Sequence, residues 1–220
     1  DDPVFQQKYA KFLRALAEDF NDPDKVDFID AFGLGKWGES HAMIYKDPAN
    51  KVAVFDWITS LYSETFTRVP LVIHYHRVLA DSNRDSWGDV SPDTERLLDM
   101  AIGKGYCLRH DAFGMTDYYQ TWEKEFARKW NFRLPILMEG GWITAAHHRY
   151  WIDSSGNYRQ GHSEDVRRGE FEASREAHVN TMDFRINDEV ASWFSQAFDL
   201  VKRFVAEGGY RLYPSEVRVP

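Results

Sequence analysis

Two glutamates follow segments of the sequence that look buried, and a carboxylate there is costly unless it has a partner or a role. Glu139 ends the apolar run 135–138, and Glu39 closes the glycine-rich stretch 33–38. A pair of such groups can divide a reaction, because one can give a proton to a leaving group while the other attacks as a carboxylate. We therefore predict that Glu39 and Glu139 are the catalytic pair. The alternative for each is an acid on a surface loop.

Further polar and aromatic residues follow the other apolar runs. We expect the following residues to bind substrate: Trp37, His74, His76, Arg109, Asp111, Trp142, Asp183 and Arg185. Side chains alternate along a strand, so His74 and His76 should share one face. Arg109 and Asp111 should likewise share a face. Arg109 suits either a two-pronged contact with a carboxylate or a salt bridge across the mouth of the site.

The histidines also allow a metal-dependent alternative. His74 and His76, together with His110 and Asp183, could form the donor set of a hydrolase of the amidohydrolase kind. In that family the paired histidines end the first strand. Here a helix, a strand and a second helix precede them. We therefore predict no metal and no other cofactor, and keep the metal-dependent hydrolase as an alternative.

Short apolar runs alternate with amphipathic segments along the chain. The predicted strands are 26–32, 69–75, 106–112, 134–139 and 178–184, and the predicted helices are 3–20, 49–65, 92–103, 116–130, 163–175 and 187–206. Continuous apolar strands that alternate with helices indicate parallel pairing. A doubly wound sheet and a barrel both fit, but polar residues end every strand, as at the active face of a (β/α)8 barrel.

Five strands make up only part of an eight-stranded barrel. We expect residues 1–207 to form the C-terminal part of a TIM barrel, units four to eight, with the N-terminal part of the same barrel upstream. Residues 208–220 contain alternating apolar positions, which predict the start of an appended β segment.

Composition limits the classes of partner. The net charge of -8 argues against a nucleic-acid partner, which would favour a basic face. The sequence contains no apolar run of the roughly 20 residues that span a membrane. The single cysteine, Cys107, excludes an internal disulfide, and we expect it to be a buried structural thiol.

The segment 35–41, GKWGESH, and the opening 2–5, DPVF, carry a resemblance to known proteins. They resemble uncharacterised bacterial proteins of glycosidase type, β-galactosidase-like in fold, within the superfamily of retaining glycoside hydrolases with a (β/α)8 barrel. The resemblance covers nearly the whole chain. It implies that Glu39, after the fourth strand, is the acid/base, and that Glu139, after the seventh, is the nucleophile. The implied substrate is a saccharide, and the alternative is a barrel that binds carbohydrate without cleaving it.

One position departs from the superfamily pattern. Many members carry Asn directly before the acid/base, where this chain has Gly38. If Glu39 is not the acid/base, Asp30 and Glu64 are the nearest alternatives. The sequence does not identify the sugar, and a periplasmic or extracellular location is favoured only if the substrate is a polysaccharide.

Overall fold

The computed structural model describes residues 1–81, 88–115, 118–143, 159 and 162–207. It has an α/β fold in which five parallel strands form a half-barrel. The strands are β1 (Ile29–Asp30), β2 (Leu71–His74), β3 (Tyr106–Asp111), β4 (Ile136–Glu139) and β5 (Thr181–Asp183). They lie in the order β1-β2-β3-β4-β5. A doubly wound sheet would reverse this order in the middle, so the prediction of a barrel-type sheet is confirmed.

Helices cover one side of this sheet. In the described part they are α1 (Pro3–Phe20), α2 (Lys51–Thr65), α3 (Thr94–Gly103), α4 (Thr121–Trp130), α5 (Ser163–Ala177), α6 (Asp188–Gln196) and α7 (Phe198–Glu207). The first matches its prediction, because the Asp2 carboxylate accepts hydrogen bonds from the backbone N–H groups of Val4 and Phe5 at 2.8 and 2.9 Å. The prediction of one last helix over 187–206 was wrong, since Ala197 leaves the helical conformation and separates α6 from α7.

The register of the strands gives the sheet two different faces. Arg109 lies beside His74, Asp111 lies beside Glu139, and Glu139 lies beside Asp183. Register neighbours and alternate residues along a strand point to the same face. The other face includes Leu71, Ile73, Tyr106, Leu108, Ile136 and Met138, which belong to the hydrophobic core shared with the helices. The charged side chains therefore lie on the face opposite the helices.

The proposed boundary after residue 207 stays a prediction, because 208–220 lie outside the described residues. None of the helices described has both the length and the apolar character that crossing a membrane requires.

Candidate active site

A tight loop after β1 carries Glu39. Backbone hydrogen bonds close it, from Gly33 N to Gly38 O at 3.1 Å and from Ser40 N to Leu34 O at 2.9 Å. Three residues near Glu39 that are not glycine adopt positive φ angles: Trp37 at 59°, Ser40 at 66° and Ala42 at 47°. Such backbone is costly and persists where the surrounding contacts impose it, which is common at functional sites.

The geometry of the same loop explains why a glycine stands at position 38. Its φ is 78°, and a Cβ atom built there would lie 3.3 Å from the Cα of Gly33. An asparagine at this position would be strained and crowded. The loop thus presents Glu39 through a close approach of two glycines, and its backbone conformation at position 38 disfavours a side chain.

Arg109 joins the carboxylates at the centre of the site. Its Nη2 donates to Glu39 Oε1 at 2.5 Å and also to Glu139 Oε2, while its Nε lies 3.1 Å from Asp30 Oδ2. Glu39, Asp111 and Glu139 each offer one oxygen, and these oxygens all lie within 4.8 Å of one another. Glu39 and Glu139, which we predicted to be the catalytic pair, are thus adjacent, and Asp30 lies beside them.

Arg185 approaches the cluster from the other side. It has a φ of 64°, and its guanidinium donates to Glu139 Oε1, to the carbonyl oxygen of Gly140, and to Asp111 Oδ1 at 2.5 Å. The ring of Trp142 lies 5.0 Å from the same guanidinium. Glu139 is therefore held between two arginines.

Burial and like charges raise the pKa of the acids in this cluster. The pKa of Asp30 is raised to about 6 by burial, with Arg109 opposing and Glu39 adding to the shift. That of Asp111 is raised to about 7 by burial, which Arg185 opposes. Burial also raises the pKa of Glu139, while Arg109 and Arg185 lower it. The two arginines therefore oppose the proton uptake that burial favours.

A second group, the histidine cluster, lies next to the first and consists of His41, His74, His76 and His110. All four are buried. His76 Nε2 donates to the carbonyl oxygen of Glu39 at 3.3 Å, and His74 Nε2 accepts from the backbone N–H of Asp111 at 3.2 Å. Burial lowers the pKa of His74 and His76 well below the usual range, and that of His110 to about 3. These three imidazoles are neutral at physiological pH.

The metal alternative takes a different form from the one expected. Among the described residues, the histidines whose ring nitrogens lie within 4.8 Å of one another are His41, His74 and His76, without His110 or Asp183. The rings of His41 and His76 stack at 4.6 Å with an angle of 12° between their planes. A nitrogen lone pair lies in its ring plane, so two stacked rings cannot both point at one ion. Metal binding by this group would require a ring to rotate.

The other candidates take distinct positions. Trp37 is 67% exposed, and its ring lies 5.7 Å from that of His41. Asp183 is exposed and accepts the backbone N–H of Arg185 at 2.7 Å. Glu64 lies on α2 and lines a groove with residues of α1, so it is the weaker alternative to Glu39. Residues 144–158, which follow Trp142 and Ile143 in the sequence, lie outside the described residues.

Comparisons with known proteins add little. No protein-family model and no curated protein matches the chain. One solved structure that it matches is the catalytic domain of β-amylase from Paenibacillus polymyxa, with 11% sequence identity and a TM-score of 0.37. The match covers 88% of this chain and 54% of that chain, so this chain spans about half of its length. A likeness this weak identifies neither activity nor substrate.

Proposed function

We propose that this chain carries the catalytic pair of a retaining glycoside hydrolase, with Glu139 as nucleophile and Glu39 as acid/base. One observation carries the proposal: an oxygen of Glu39 lies within 4.8 Å of an oxygen of Glu139. Retaining enzymes hold their carboxyl groups about 5–5.5 Å apart, whereas inverting enzymes leave about 6.5–9.5 Å for a water molecule. The short separation favours direct attack.

The two carboxyl groups divide the reaction between them. Glu39 gives its proton to the glycosidic oxygen, and the leaving alcohol departs as Glu139 forms a bond to the anomeric carbon. Glu39, now ionised, takes a proton from water, which attacks that carbon and frees Glu139. Arg109 and Arg185 hydrogen-bond to Glu139 and oppose its protonation, as a nucleophile requires.

Aromatic and polar groups around the pair fit a saccharide. Trp37 offers an exposed ring, and Trp142 lies against Arg185. Aromatic rings present a flat apolar surface to the C–H face of a sugar. Asp111 and Asp183 are the remaining candidates for sugar hydroxyls.

A panel of aryl glycosides tests the proposal on the protein at its full length. Glu39→Ala should largely keep the first step on substrates with a very good leaving group, because these need no proton. Its second step should be slow, and added azide should accelerate it, since azide needs no general base. Glu64→Ala is the matched control, because Glu64 lies on α2 away from the pair, and its rates should equal those of the wild type.

Two outcomes would count against the proposal. If Glu39→Ala lost activity equally on substrates with every leaving group, and azide restored none of it, Glu39 would not be the acid/base. Saccharide binding without turnover of any glycoside would favour a carbohydrate-binding barrel instead.

A further inference from the structure

Two buried glutamates accept hydrogen bonds from the backbone of the loop that follows Glu139. The backbone N–H of Gly141 donates to Glu170 Oε1 on α5 at 2.5 Å, and that of Ile143 donates to Glu189 Oε1 on α6 at 3.1 Å. The exposed fractions of these glutamates are 0% and 1%. Two helices thus each contribute a buried carboxyl group to four residues of loop, which we call the 140–143 loop.

The loop fits closely against Glu170. A Cβ atom built on Gly141 would lie 2.0 Å from Met115 Sδ and 3.0 Å from Glu170 Oε1. Gly141 therefore packs against both Met115 and Glu170 and leaves no space for a side chain. Trp142, the next residue, packs against Arg185, which hydrogen-bonds to Glu139. A continuous chain of contacts runs from Glu170 to the carboxylate of Glu139.

We propose that Glu170 is a positioning residue, a neutral carboxylic acid at physiological pH that clamps the 140–143 loop through Gly141. Its effect on catalysis rests on the proposed function of Glu139, whereas the clamp itself does not.

The surroundings of Glu170 favour the neutral acid. Its Oε2 is buried and has no hydrogen-bond partner among the described residues. An ionised carboxylate with one hydrogen bond in such a place costs far more than a neutral carboxyl group, so the group keeps its proton. Burial raises the pKa of Glu170 to about 8. The charged groups that face it are Asp111, which adds to the shift, and Arg185 and Arg167, which with the Gly141 N–H oppose it.

Hydrogen exchange tests the clamp. Amide exchange in a peptide covering 139–143 should be faster in Glu170→Ala, which loses the acceptor for Gly141, and close to wild type in Glu170→Gln, whose amide oxygen replaces it. The turnover number on the best aryl glycoside should fall about tenfold in the alanine variant and recover in the glutamine variant. Glu172→Gln is the control, because Glu172 lies on the same helix with a side chain that is 40% exposed and pairs with Arg175 at 2.9 Å.

Urea unfolding tests whether Glu170 is protonated in the folded state. Between the ordinary pKa of 4.5 and about 8, the folded state keeps a proton that the unfolded state releases. The unfolding constant of the wild type should therefore rise relative to that of Glu170→Gln by up to about tenfold per pH unit in this window. Glu172→Gln should follow the wild type. This measurement does not require Glu170→Ala to fold, because it compares only the wild type and the two glutamine variants.

The outcomes separate the clamp from the catalytic proposal. Unchanged exchange in Glu170→Ala would overturn the clamp, and parallel pH curves for the wild type and Glu170→Gln would overturn the neutral acid. If exchange and unfolding behave as expected but no glycoside is hydrolysed, the clamp stands and the proposed function fails.

Discussion

The charged cluster, which consists of Arg109, Arg185 and the carboxylates they contact, lies at the same end of the sheet as the histidine cluster. The two clusters differ in the charge state of their side chains. In the first, guanidinium groups neutralise carboxylates whose side chains are between 12% and 34% exposed, including Glu39 and Asp30. In the second, His74 and His76 are 1% and 0% exposed, and burial keeps them uncharged.

The difference shows which group can do chemistry. A reaction that moves charge needs groups that ionise within reach of a substrate, and only the charged cluster combines ionisable acids with partial exposure. The histidine cluster holds the backbone that carries this chemistry, since His76 donates to Glu39 O and His74 accepts from Asp111 N. We therefore propose that the charged cluster is the catalytic one and that the histidine cluster supports it.

The largest effect is expected from Glu139→Gln. It keeps the shape of the side chain but removes the charge that attacks, so turnover should fall by about 10³-fold or more while the melting temperature changes little. Steady-state rates and thermal unfolding measure both. Glu176→Gln is the control, because Glu176 pairs with Arg128 at the surface and should keep full activity.

A smaller effect is expected on the free energy of unfolding, and it should differ between the two clusters. Arg109→Met leaves Asp30, Glu39 and Glu139 close together without their shared cation, and should lower the free energy of unfolding by about 3 kcal/mol. His76→Leu removes one neutral hydrogen bond and should cost about 1 kcal/mol. Urea denaturation of both variants measures the difference. Equal losses would contradict the distinction between a charged and a neutral cluster.

A third expected effect is a pair of opposite pH slopes. The pKa of Asp111 is raised from 3.8 to about 7, so its contribution to stability falls as pH rises through that window. The pKa of His110 is lowered from 6.5 to about 3, so its contribution rises with pH in that range. Relative to wild type, Asp111→Asn should flatten the first slope and His110→Phe the second. The free energy of unfolding, measured at several pH values, tests this prediction. Slopes of the same sign for Asp111 and His110 would contradict it.

The order of the strands could be predicted from the sequence, because apolar runs of strand length recur between amphipathic helices. The end of each strand was harder to predict. The first strand was expected over 26–32 but comprises only Ile29–Asp30, since its ladder with β2 ends where Ala31 N donates to Val72 O at 2.9 Å. Hydropathy carries no information about where a neighbouring strand ends.

The alternation of side chains predicted the part of the site that lies on regular strands. Alternation places Arg109 and Asp111 on one face, and the register confirms that they lie with Glu139. The chain leaves β2 after His74, so alternation no longer applies to His76. Glu170 could not be found from the sequence at all, because its partner is a backbone group 29 positions earlier in the chain.

Covalent trapping tests the central claim most directly. The full-length protein would be incubated with the 2-deoxy-2-fluoro analogue of whichever aryl glycoside it hydrolyses fastest, and then digested for mass spectrometry. The fluorine slows the second step, so the glycosyl-enzyme should accumulate. We predict a single modification by one fluoroglycosyl group, on the peptide that contains Glu139 and on that side chain. A label on another carboxylate, or rapid turnover of the parent glycoside with no label, would contradict the assignment.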